Sequence, residues 1–344
     1  MKAAYLLDEG IHVGDVPDPI PTKDQVLVRT HKCAICASDF HLVHFGERLV
    51  RWSAEFDGPF RIDLARPVVL GHEFVAEIMD YGPRTERRFR PGTRVTSLLG
   101  ISTEGGGRSI VGLSNDFPGG FGEYMLLPAD ILRAVPDSLD TDIAALAEPL
   151  SVGLHHARYG RPEQGDVMLV IGCGAIGLAV IAGLKLMGRG PVIASDLNAH
   201  RRELAVTMGA DIVIDPTRAS PYRDLPGLRG REPNVIYECV GVTGVTDQIL
   251  QNAAADARII SGGWCLETDH MFTPSAHLKR LTIMFAGGEE QEDFDLALQA
   301  LDDGRIDGTP WLGPTVGLSG VRDALEGLAN PDNPIRVLVD PRQP

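Results

Sequence analysis

Residues 167–188 read VMLVI-GCGAIG-LAVIAGLKLMG, an apolar run that meets three clustered glycines and continues into a second apolar stretch. The segment predicts a buried strand, a tight turn and a helix. Gly172, Gly174 and Gly177 stand in G-x-G-x-x-G, with Ile176 inside the fingerprint. The three glycines act differently, since Gly172 permits the turn, Gly174 lets the backbone approach a pyrophosphate, and Gly177 lets helix and strand pack closely. The helix N-terminus then presents unpaired N–H groups and a positive dipole end to phosphates. Positions 167–184 also make 18 uncharged, mostly apolar residues, the lower limit for a membrane span. Bunched glycines fit a strand, turn and buried helix better than a lipid-facing helix.

The flanking sequence supports a dinucleotide site over a plain strand-turn-helix. The next strand, PVIAS, ends at Asp196, 24 residues beyond Gly172 (172 to 196). A carboxylate there can accept hydrogen bonds from both ribose hydroxyls of an adenosine and repels a 2′-phosphate, so NAD is expected over NADP. DIVID, NVIYECVG, ARIISGG and LTIMFAG follow, separated by helical segments. Six apolar strands alternating with helices predict a parallel sheet covered on both faces. Residues 1–150 read differently, as short strands and turns: KAAYLL, QVLVRTHKC, PVVLGHEFVAEIMDYG, GTRVTSLL and FGEYMLLP, punctuated by Pro17, Pro19, Pro21 and Pro91. After Gly288 come two helical stretches and a final strand, IRVLVD, expected to return to the first domain. The predicted domains are therefore 1–150 with 289–344, and 151–288.

Composition bounds the function. Lys plus Arg number 32 against 47 Asp plus Glu, a net charge of −15, and no cationic run is denser than Arg84–Arg90. Nucleic acid is not an expected partner, and neither is a membrane. Five cysteines in 344 residues, with Asp8 and Glu9 interrupting the first apolar run, suggest a reducing, cytoplasmic setting without a disulfide framework.

The first domain carries C36-A-S-D-F-H41 and, further on, G71-H72-E73, while Glu148 stands in AEPLSVG. Thiolate, imidazole and carboxylate are zinc-ligand types, and a catalytic zinc needs only three of them. Cys33 and Cys36 form one C-x-x-C without a second pair, which does not support a four-thiolate structural site. Spacing alone leaves the alternative of a buried thiol and a packed histidine open.

The order CxxSDxH, GHE, EPLSVG, GCGAIG, Asp and IRV along one chain resembles the zinc-dependent medium-chain dehydrogenase/reductase family, over nearly the whole length. EPLSVG and the two glutamates resemble the polyol, threonine and glucose dehydrogenase branch in particular. The resemblance implies an α/β protein: a GroES-like, mainly-β catalytic domain plus a doubly wound parallel-sheet Rossmann domain. It implies one catalytic zinc held by Cys36 and His72 with Glu148 or Glu73, and Asp39 orienting His72. It implies a proton relay from Ser38 to His41, and hydride transfer between a small-molecule secondary alcohol and NAD, giving a ketone. Arg201 would lie beside the adenosine ribose and Arg336 at the pyrophosphate. Val240, Gly262 and Phe285, at strand ends, would pack the nicotinamide and adenine. Relatives pair the last strand of the cofactor sheet, here LTIMFAG, which implies a homodimer or homotetramer.

Two departures stand out. Between Gly92 and Tyr124, where many relatives carry a four-cysteine lobe for a second zinc, this chain has no cysteine, which predicts one zinc per chain. Residues 42–70 read as an unusually long loop whose Phe45, Trp52, Phe56 and Phe60 would form either a pocket wall or a small core of their own. An apolar or cyclic alcohol would suit the first arrangement. Two other readings compete: a zinc-free enone or quinone reductase, which chelator-insensitive activity would favour, and a non-catalytic dinucleotide-binding protein, which tight NADH binding without turnover would favour.

Overall fold

The computed structural model describes residues 1–8, 10–102 and 107–343. They fall into two compact units, 1–148 with 311–344, and 149–310. In chain order the first unit contains β1 (Lys2–Leu7), β2 (Gly10–Asp15), β3 (Gln25–Ala34), α1 (Ala37–Phe56), β4 (Val68–Val69) and β5 (Glu73–Tyr81). It continues with β6 (Arg94–Ser97), β7 (Gly100–Ser102), β8 (Arg108–Ile110), β9 (Tyr124–Pro128), β10 (Leu132–Ala134) and α2 (Thr141–Ala144). Helix α3 (Ala147–Tyr159) leads into β11 (Met168–Ile171), α4 (Ala175–Leu186), β12 (Val192–Ser195), α5 (Ala199–Thr207), β13 (Ile212–Ile214) and β14 (Val235–Glu238). Then come α6 (Val245–Asn252), β15 (Arg258–Ser261), α7 (Thr273–Lys279), β16 (Thr282–Phe285) and α8 (Gln291–Asp302). The chain returns to the first unit with β17 (Leu312–Val316), α9 (Val321–Gly327) and β18 (Arg336–Val339).

The second unit has the expected six-stranded parallel sheet, in the order β13-β12-β11-β14-β15-β16. Numbered within the unit this is 3-2-1-4-5-6, the doubly wound arrangement. Both faces are covered: Met168, Leu169 and Val170 of β11 are fully buried, and Gly177 to Leu184 of α4 are buried as well. The 167–184 stretch is thus a short strand, a turn and a buried helix, and no described helix is long and apolar enough to cross a membrane.

In the first unit β3 alternates as a half-buried strand should, with Val26, Val28 and Thr30 buried. It is the centre of a seven-stranded sheet ordered β10-β6-β5-β3-β18-β17, with β9 also on β3.

Three expectations need correction. First, residues 42–70 are not one loop: α1 runs through Phe56 with a non-helical break at Phe45. Its buried stripe is Asp39, Leu42, Gly46, Leu49 and Ser53, spaced by threes and fours as one helix face requires. Only two of those five are large apolar residues, which is why the periodicity is faint in sequence. Second, the four aromatics divide: Trp52 packs against Phe56 and the buried Phe60, ring centroids 6.3 and 6.4 Å apart, in a small cluster of their own, while Phe45 lies beside His41, the rings 6.3 Å apart. Third, the chain re-enters the first unit at Trp311, not at 289. Helix α8 stays with the second unit because its buried Asp293 accepts bonds from His155 (2.9 Å) and Arg158 (2.9 and 2.8 Å) of α3. Residues 103–106 of the cysteine-free stretch lie outside the described residues.

Candidate active site

Strand register assembles the first cluster. In the antiparallel β3–β5 pair Ala34 faces Glu73 and Cys33 faces Phe74, so Cys36, just past one strand, comes beside His72, just before the other. Strand β18 adds a third end: Leu338 pairs with Ala34, which carries Arg336, two residues earlier, to the same edge. Residues spread from 36 to 336 converge there because three strands end together.

Cys36 is also the N-cap of α1. Asp39 accepts from the Cys36 backbone N–H at 2.9 Å and from that of Gly71 at 3.2 Å, tying the helix start to the turn before His72. Gly71 has φ +96°, a conformation glycine adopts freely, and an added Cβ would meet Phe121 at 2.6 Å. Ligand atoms of Cys36, His72 and Glu73 lie within 4.8 Å of one another. Ser38 Oγ donates to Cys36 Sγ at 3.2 Å and sits 3.1 Å from His72 Nε2.

A cation fits this chemistry. Thiol, imidazole and carboxylate are a zinc-type set. His72 is 2% exposed, and its Nδ1 has no hydrogen-bond partner among the described residues, although Asp39 Oδ1 stands 3.5 Å away. Metal-bound histidines are oriented by such a carboxylate. Burial alone would lower the His72 pKa, yet Asp39 and Cys36 together raise it well above its usual value. Burial and the Glu73 carboxylate raise the Cys36 thiol, against the pull of His72. A divalent ion bound here would favour the deprotonated forms of both groups.

Glu73 is not free to act alone. Arg336 donates to both its oxygens, at 2.6 and 2.7 Å, with both side chains buried. Arg336, expected at a pyrophosphate, is therefore engaged with the Glu73 carboxylate in this structure. Glu148, 4% exposed at the start of α3, is not in the group that closes within 4.8 Å, although its charge acts on Arg336. His41 lies on α1, its ring 6.3 Å from that of Phe45, and burial followed by the His44 charge lowers its pKa.

The second unit builds the glycine cradle as read. Gly172 has φ +89°, and a Cβ on Gly177 would come 1.8 Å from the Gly172 carbonyl oxygen. A Cβ on Gly174, at the N-cap of α4, would meet nothing within 4 Å. That open space above a helix N-terminus suits a phosphate. Asp196, at the end of β12, accepts from the N–H of Cys173 (2.7 Å) and Asn198 (2.8 Å), so it shapes the cradle as well as offering lone pairs to a ribose. Arg201 Nε is buried without a hydrogen-bond partner among the described residues. Its neighbour Arg202 is already paired, 3.3 Å from Asp215. Ile176 is half-buried beside the cradle, Val240 and Phe285 are exposed at strand ends, and Gly262 follows β15.

Sequence reasoning missed Glu238, at the end of β14, which accepts from the N–H groups of Val240 and Gly241 at 2.7 and 2.8 Å. A lone acid ending an apolar strand carries no signal of that role. It also missed a second ligand-like cluster, His155, Glu290 and Asp293. Arg158 donates to both of its carboxylates, making it an ion-pair junction between α3 and α8.

Comparison with known proteins agrees with both units. Residues 22–137 match the alcohol dehydrogenase GroES-like domain and residues 175–303 the zinc-binding dehydrogenase domain. Sorbitol dehydrogenase of Bos taurus is 31% identical over 67% of this chain, and the match spans 66% of that enzyme's length, just under two thirds. (R,R)-butanediol dehydrogenase of Bacillus subtilis strain 168 is 30% identical over 76% of this chain and 77% of its own. Among solved structures, a Sinorhizobium meliloti chain described as a zinc-binding dehydrogenase and bound to NADP superposes with a TM-score of 0.83, at 26% identity over 99% of each chain.

Proposed function

Because this chain belongs to the zinc-dependent medium-chain dehydrogenase/reductase family, we propose that it oxidises a secondary alcohol to a ketone with NAD, or runs the reverse, using one zinc ion. The convergence of Cys36, His72 and Glu73 within 4.8 Å of one another, with the Ser38 hydroxyl on the first two, carries this reading. Cys36 and His72 would hold the metal, with Glu148 or Glu73 as third ligand. When bound, zinc would serve as a Lewis acid that makes an alcohol hydroxyl acidic near neutral pH.

The chain's own groups handle the proton. Ser38 Oγ touches both expected ligand atoms, so it stands within hydrogen-bond reach of a hydroxyl placed between them. His41, one helical turn on and biased toward its neutral form by burial, is suited to take that proton to solvent. Asp39 holds the helix start and the His72 ring in register. On the cofactor side, the Asp196 carboxylate repels a 2′-phosphate, which supports NAD even though one structural neighbour binds NADP.

The test is cofactor reduction at 340 nm over aliphatic, cyclic, aromatic and polyol secondary alcohols, with NAD and NADP in parallel and metal content measured on the same sample. Turnover with NAD, lost on chelation and restored by zinc, is expected. Chelator-insensitive turnover of enones would point to a zinc-free reductase instead. Cytoplasmic location and a homodimer or homotetramer remain part of the proposal, the assembly being supported by the half-buried, apolar β16 at the edge of its sheet.

A further inference from the structure

We propose that Glu238 is a positioning residue of the cofactor site, locking together the turns that follow β14 and β15 and placing there a negative charge that favours the oxidised nicotinamide. The proposal rests on the dinucleotide reading above. In an open parallel sheet, ligands bind outside the carboxyl ends of the strands, where these two turns lie.

Glu238 works on both turns at once. Its Oε1 accepts from the N–H groups of Val240 and Gly241, at 2.7 and 2.8 Å. Its backbone carbonyl accepts from Gly262 and Gly263, at 2.8 and 2.9 Å. The turns are in direct contact as well: a Cβ on Gly263 would come 2.2 Å from the Gly241 nitrogen and 2.7 Å from Glu238 Oε2, and one on Gly241 would come 2.7 Å from the Trp264 nitrogen. Neither glycine can take a side chain without parting the turns. Glu238 as a whole is 3% exposed.

The carboxylate accepts from backbone N–H groups, which compensate a buried anion without cancelling its charge. Oxidised nicotinamide carries a positive ring and the reduced form does not. A fixed anion at the turns therefore stabilises NAD more than NADH, and its effect is large where water is excluded.

The experiment compares dissociation constants for NAD and NADH in the whole protein and in three variants, by protein fluorescence titration, with thermal midpoints measured alongside. Glu238→Gln keeps an oxygen for the two N–H groups and removes the charge, exchanging the second oxygen for an amide nitrogen of similar size. It should retain near-parental NADH affinity while the NAD-to-NADH affinity ratio falls about fivefold, the size expected for one charge acting across several ångströms. Glu238→Asp keeps the charge with poorer reach, so both affinities should fall and their ratio should hold. Glu238→Ala frees the turns, and both affinities should fall further. An unchanged ratio in folded Glu238→Gln, a shifted ratio in Glu238→Asp, or parental NADH affinity in Glu238→Ala each overturns the proposal while leaving the cofactor reading intact. A parent protein that binds neither dinucleotide overturns both.

Discussion

Arg336 and Glu73 are separated by 263 residues in sequence and meet in a two-pronged ion pair of 2.6 and 2.7 Å, neither side chain more than 6% exposed. The pair closes one side of the candidate metal site. Removing one member strands the other as a buried charge, the costly half of any buried pair. Arg336→Met should therefore lower unfolding stability by about 3–5 kcal/mol. The double variant Arg336→Met/Glu73→Gln should recover more than half of that loss. Urea unfolding of the four proteins in the cycle checks it, and additive losses would show that the pair is not coupled.

Metal content separates the site from its alternatives. Purified protein should carry about one zinc per chain, set by three to four ligands at a single site. Cys36→Ala should lose the metal together with turnover, while far-UV circular dichroism stays parental. Elemental analysis giving two zinc ions per chain would instead reveal a second site that the cysteine-free 92–124 stretch does not suggest.

The fingerprint glycines should separate by role. Gly174→Ala meets nothing within 4 Å and should keep the parental thermal midpoint, yet it puts a methyl where a pyrophosphate is expected. NADH affinity should fall about tenfold or more, equivalent to about 1.4 kcal/mol. Gly177→Ala meets the Gly172 carbonyl oxygen at 1.8 Å and should lower the midpoint before any ligand is added. Equal midpoints for the two variants would contradict this division.

One carboxylate gives a signed pH dependence. Burial would raise the Asp340 pKa, but the hydrogen bonds and charge of Arg342, with the charge of Lys32, together outweigh it and bring the group to about 2, from 3.8. A depressed folded pKa stabilises the protein above the unfolded value, and the contribution fades as pH falls through the folded one. Asp340→Asn should thus cost about 1–2 kcal/mol at pH 7, less than the full shift implies because Arg342 is 49% exposed. The difference from the parent should shrink between about pH 4 and pH 2. A gap that is constant across that range would exclude the linkage.

The cofactor sheet was legible because its signals are local. Apolar strands, breaker residues and three glycines lie within short windows, and each keeps its meaning wherever the chain folds around it. Helix α1 was not legible as a helix: its inward stripe includes Asp39, Gly46 and Ser53, and Phe45 breaks its geometry. The point of return to the first unit was misjudged for another reason. Helix α8 is amphipathic in either unit, and the long-range bonds that Asp293 accepts from His155 and Arg158 tie it to the second.

By itself the sequence determined the family resemblance, the six-stranded sheet, the glycine cradle with its acidic partner, and the residue types a metal could use. Those follow from short-range periodicity, turn chemistry and composition. Tertiary structure decided which of them share a site. Register between β3, β5 and β18 brings Cys36, His72, Glu73 and Arg336 to one edge, and contact between two turns makes a clamp of Glu238. A long-range ion pair or a buried acid at a strand end leaves no mark in its own neighbourhood, since its partner is chosen by how strands align and not by what stands next to it in the chain.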